Sequence, residues 1–109
     1  SEETYGYNPK NEMPFFALLK TEVHGRKGYS ELTEQEFSTL KDATNDLLEM
    51  IRKETATINF WDRSSAQDQL RTYIINNVLL TSFPSAFSKR KEIAQKIMEL
   101  AFQHYGRER

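Results

Sequence analysis

Cysteine is absent from the chain, which excludes disulfides and thiolate metal sites and fits a reducing compartment. Glycine is scarce, and none of the four (Gly6, Gly25, Gly28, Gly106) stands in a GxxxxGK[ST] loop, whose glycines let backbone amides approach phosphate. Long apolar runs are missing as well. Ile74-Ile75 and Val78-Leu79-Leu80 fall far short of the ~18 residues a membrane span needs. The opening Ser1-Glu2-Glu3 has no apolar stretch behind it, so no signal peptide is read and the expected setting is cytoplasmic, without a membrane partner. An excess of one charge is lacking too. The net charge of −1 gives no global field toward nucleic acid or membrane, although residues 1–54 carry −4 and residues 55–109 carry +3.

What is present is helical patterning in a chain of 109 residues, enough for one modest core. Residues 1–12 show neither helical nor strand period and read as a flexible leader or a linker from a longer protein. The serine at position 1 agrees with an excised piece. Residues 13–106 read as a helical domain. Pro14 suits the first turn of a short helix carrying Phe15, Leu18, Leu19 and Val23, which Gly25 and Gly28 end. Thr33 to Glu36 is a capping box, and behind it Phe37, Leu40, Thr44, Leu47, Leu48 and Ile51 form one stripe.

The stretch from Thr57 to Leu80 is central. After Phe60-Trp61, a cap from Asp62, Ser64 or Ser65 is expected to open a third helix with Ala66, Leu70, Tyr73, Ile74, Val78 and Thr81 inward. Pro84 stops that helix, and a fourth runs from about Phe87 to Tyr105, ended by Gly106. The fold class that follows is all-α, a small bundle of about four helices.

Catalytic constellations are not evident. No Asp or Glu stands two residues before a Lys, as a metal-dependent nuclease motif would require. His24 and His104 each lack a second ligand at helical spacing. Ser64-Ser65 has no neighbouring histidine and reads as a cap. No catalytic, cofactor-binding or metal residue is therefore assigned. Lys89-Arg90-Lys91 with Lys96 is the one cationic cluster, followed by Arg107 and Arg109. It reads either as a solvated face or as a phosphate contact whose affinity would fall with salt. Trp61 reads either as a core plug or as a partner anchor, since tryptophan is enriched at interface hot spots.

Several passages resemble the C-terminal helical region of the restriction (motor) subunit of type I restriction–modification enzymes. They are Met13-Pro14-Phe15-Phe16-Ala17-Leu18, Leu48 to Lys53 with Ala56-Thr57-Ile58-Asn59-Phe60-Trp61, Ser65-Ala66-Gln67-Asp68-Gln69-Leu70-Arg71, and Ala94 to Ala101. The turn Ser82 to Ser88 and the Asn59-Phe60-Trp61 triplet depart from that family's pattern. The resemblance implies a fragment of a larger subunit, a site-specific deoxyribonuclease with ATP-dependent translocase activity. Its ATP and Mg2+ would bind in domains outside this chain, which itself would be no enzyme and would hold no cofactor. It further implies a docking role toward the methylation and specificity subunits, with Trp61, Arg63 and Arg71 as expected contacts. Two rivals stand beside it: a DNA-contacting module resting on Lys89, Arg90, Lys91 and Lys96, and a structural brace for the motor domains.

Overall fold

The capping box is realised in full. The Thr33 hydroxyl accepts from the Glu36 amide and the Glu36 carboxylate accepts from the Thr33 amide, both at 2.9 Å. Two orphan donors are thereby satisfied at the start of α2 (Glu34–Thr55), with Arg52 and Lys53 in its last turn, where the helix dipole favours cations. Its buried face is Leu40, Ala43, Thr44, Leu47, Leu48, Ile51 and Thr55. The two buried hydroxyls cost nothing unpaired, because Thr44 and Thr55 donate to the carbonyls of Leu40 and Ile51. The computed structural model describes residues 3–106.

Helix α1 (Met13–His24) begins with Pro14 in its first turn and buries Phe15, Phe16 and Leu19. It ends at Gly25, whose φ of 66° lies in the left-handed region. A single 3₁₀ turn, Tyr29–Glu31, leads into α2. After α2 the chain takes another, Phe60–Asp62, entered through Asn59 at φ 59°. That turn drives Phe60 into the core at 2% exposure and leaves Ile58 at 81%. The core plug of this connection is therefore Phe60, and Trp61 is only half-buried.

The third helix departs from expectation at its start. Its N-cap is Arg63, which makes no side-chain capping bond, and Ser64 and Ser65 are already helical. Helix α3 (Ser64–Tyr73) passes without a break into a π-helical segment, Ile74–Leu79, and a last α-turn, Leu80–Ser82. The sequence supplies a reason. Ala66, Leu70, Ile74 and Val78 recur at a strict step of four, and each such step advances an α-helix by about 40° beyond a full turn. A straight α-helix would carry Val78 about 120° off the line set by Ala66. The wider π turn takes that drift back, so Ile74 and Val78 both stay buried. Thr81, expected inward, is exposed, and its hydroxyl donates to the Asn76 carbonyl at 3.0 Å.

Beyond buried Phe83, a 3₁₀ run from Pro84 to Lys89 seats Ala86 and leaves Phe87 outside. Helix α4 (Arg90–Tyr105) thus starts three residues later than its periodicity suggests, and buries Ile93, Ala94, Ile97, Met98, Ala101 and Tyr105. It closes at Gly106, where any side chain would run into the Phe102 carbonyl. The described residues form an all-α assembly of 41 × 34 × 18 Å. Its thickness admits two layers of helices, each about 10 Å across.

The stretch before α1 is not a loose leader from Glu3 onward; Ser1 and Glu2 lie outside the described residues. Tyr5 and Gly6 both have positive φ, and the turn they make delivers two tyrosines onto the bundle. The Tyr5 ring meets Phe16, Tyr29 and Phe37 at 5.6, 5.1 and 5.3 Å between centroids. Tyr7 is buried; its hydroxyl donates to Asn45 Oδ1 at 2.9 Å, and Lys41 Nζ lies 4.3 Å above its ring. Aromatic packing overrides the absence of period here, because irregular backbone can be pinned by two large side chains.

Candidate functional site

The short turn that buries Phe60 turns Trp61 outward and sideways, toward the C-terminal half of α4. Its indole N–H donates to the Tyr105 carbonyl at 2.9 Å, and its ring stands edge-on to Phe60 and Phe102 at 4.8 and 5.1 Å. Beside it an open groove of about 290 Å³ runs between α3 and α4. Trp61, Gln67 and Arg71 line one side. Met98, Glu99 and Phe102 line the other, with Gln95 a turn earlier.

Of the three residues expected to meet a partner, the fold brings two together. Trp61 and Arg71 line the groove, whereas Arg63 stands exposed outside it, its carbonyl accepting from the Gln67 side chain at 3.2 Å. That same amide also donates to the Phe60 carbonyl, which fixes the upper end of the groove wall. Arg71 pairs with Asp68 at 2.7 Å on its outer side, an i,i+3 contact along the helix. On the opposite wall Gln95 donates to Glu99 at 3.2 Å. The α3 side thus carries the Arg71–Asp68 ion pair and the α4 side the Glu99 carboxylate.

Met98 and Phe102 escaped the sequence reading. Their signal was faint: Phe102 sits four residues after Met98, one step to the side of the buried line through Ile97 and Ala101. It is 51% exposed, one of three large apolar side chains left so open among the described residues.

The basic cluster is largely engaged within the molecule. Glu22, on the last turn of α1, takes Lys89 at 3.3 Å and Lys96 at 2.9 Å, and Lys96 also reaches Glu92 at 3.4 Å. The Lys96 hydrogen bond, helped by Lys89 and opposed by partial burial, holds the Glu22 carboxyl below the usual carboxylate range. Arg90 stacks over the Phe87 ring at 3.9 Å and donates to its carbonyl. Lys91 is exposed and makes no ion pair among the described residues. Arg107 and Arg109 lie outside the described residues.

The histidines serve different places. His24 lines a second depression of about 220 Å³ with Val23, Thr39, Phe83 and Pro84, while the His104 ring packs against Phe15 at 6.2 Å. Among the described residues no three His, Asp or Glu side chains converge as a metal-ion site. No described helix is long and apolar enough to cross a membrane. Compared with known proteins, the chain matches no family model, no curated protein and no solved structure.

Proposed function

We propose that this domain is a non-catalytic helical docking module. In the setting its resemblance implies, it would join the ATP-driven restriction subunit of a type I enzyme to the methylation and specificity subunits. The observation supporting this reading is the groove between α3 and α4. There Trp61, Arg71 and the half-exposed Phe102 meet, and tryptophan and arginine dominate interface hot spots. The DNA-contacting alternative draws less support, because Glu22 already occupies Lys89 and Lys96.

The test is calorimetric titration of the domain against the methylation–specificity complex at low and high salt. Saturable binding that survives added salt is the expected result, since desolvated aromatic contacts are not screened. Binding that collapses with salt and is matched by duplex DNA would replace docking by phosphate contact. A folded domain giving no heat with either would leave the brace for the motor domains.

A further inference from the structure

At the end of the π segment Ile74–Leu79 the Leu80 amide donates to the Ile75 carbonyl, five residues back. In an α-helix that amide would serve the Asn76 carbonyl. The Thr81 hydroxyl serves it instead, at 3.0 Å. The segment thus holds one residue more than an α-helix spanning the same distance. That surplus residue can sit elsewhere along the helix wherever the side chains allow.

The neighbouring residues decide where. Ile74 is fully buried and Ile75 half-buried, so two identical side chains stand in succession. Moving the wide turn one helical turn toward Leu70 would advance residues 72–75 by one position, a rotation of about 100° for each. Ile75 would then fill the place of Ile74 with the same atoms, and Ile74 that of half-buried Tyr73. Val78 and Leu79 lie beyond the wide turn in both settings and stay buried. Further travel is blocked, because it would set Arg71 in the place of buried Leu70. Travel the other way would set Asn77 in the place of buried Val78.

We infer that the π turn is a movable joint with two settings, the second of which exchanges Ile74 for Ile75 in the core and swings Tyr73 away from α2. In the observed setting Tyr73 lines a depression of about 180 Å³ with Met50, Glu54, Gln69 and Leu70. In the second it stands at the exposed position of Thr72, and the depression loses its aromatic wall. The observed setting keeps the Thr81 bond to Asn76 and the packing of Tyr73 on the core. The second lacks both and is the minor one, exchanging on the microsecond-to-millisecond scale of helix register shifts. The joint lies within the bundle and works whether or not the domain docks.

Relaxation dispersion on the isotope-labelled domain, read at backbone amides and isoleucine methyls, tests it. Exchange is expected from Tyr73 to Asn76. Thr81→Val removes the bond specific to the observed setting and should raise the minor population about fivefold. Ile75→Asn would put an amide into the core of the second setting and should abolish the exchange. Flat profiles in both wild type and Thr81→Val overturn the joint, as does exchange that Ile75→Asn leaves unchanged. Should Ile75→Asn fail to fold, Ile74→Asn carries the test. Ile97→Asn, at an equally buried position with no substitute beside it, should unfold the domain. Ile74→Asn should stay folded, with the Ile75 methyls in the core and Tyr73 open to iodination. An Ile74→Asn chain as unfolded as Ile97→Asn overturns the joint.

Discussion

The indole of Trp61 is tied to the carbonyl of Tyr105 at 2.9 Å, a bond that spans 44 residues of chain. The acceptor belongs to the last turn of α4, where carbonyls have no partner within their own helix. One side chain from the α2–α3 connection thus caps the far end of α4 and lays its ring along the groove.

Replacing that indole separates the two roles. Trp61→Phe keeps an aromatic ring against Phe102 but removes the donor, and should cost about 1 kcal/mol from the bond alone. Urea denaturation followed by circular dichroism would measure it. Stability equal to wild type would mean that solvent satisfies the Tyr105 carbonyl as well as the indole does.

Tyr7 should betray its burial in alkali. Burial, the main cause, pushes its phenol up to about 12. Below the ordinary tyrosine range both folded and unfolded chains keep the proton, and stability is unaffected. As pH rises past that range the unfolded chain loses the proton first, so stability falls until the folded phenol itself ionises. Spectrophotometric titration should show a late-titrating phenol that Tyr7→Phe removes. The same variant loses the bond to Asn45 and should be less stable at neutral pH by about 1 kcal/mol.

Glu22 predicts the opposite pH dependence. Its carboxyl is held low in the folded chain, so the stability it lends is present above the usual glutamate range and disappears as pH falls through the depressed value. Glu22→Gln should melt lower than wild type at neutral pH and together with it in acid. Both lysines lie nearly half open to solvent, so the gap should be small and should shrink with salt. A gap that persists unchanged in acid would assign the effect to packing instead.

The π segment makes its own forecast. Removing one residue from an ordinary α-helix rotates everything beyond it by about 100° and throws a buried face outward. Deleting the exposed Asn77 should instead let Ile74–Leu79 close into α geometry with Ile74, Val78 and Leu79 still inward. The deletion variant is expected to fold cooperatively with a melting temperature at or above that of the parent. A molten or unfolded product would show that the π geometry is required by its surroundings.

These outcomes bear on what could be read from residues in order. The capping box of Thr33 and Glu36, Pro14 in a first turn, Gly25 past a last one and the stripe of α2 are local signals, and each stands where it was expected. Ser64 failed as a cap because the 3₁₀ turn at Phe60 set Arg63 in extended backbone just before the helix. Glu22 and Lys96 are 74 residues apart, and no local pattern announces such a pair. The strict step of four from Ala66 to Val78 did carry the π turn in plain view, but it passes for α-helical periodicity unless the accumulated angle is counted. At the groove, Trp61 and Arg71 could be picked by residue type. Met98 and Phe102 depended on how α3 and α4 lie together.

The Tyr105 hydroxyl donates to the carbonyl of Asn11 at 2.9 Å, while its own carbonyl holds Trp61. One residue at the end of α4 therefore latches both the entry to α1 and the α2–α3 turn. A ribosome delivers that residue last of the three. Until it emerges from the exit tunnel, α1 and α2 can pair, but Phe15, which packs on the Tyr105 ring, has no lid. This domain should thus remain open to proteases and chaperones until its last helix is available. It would become resistant once Tyr105 can reach both Asn11 and Trp61.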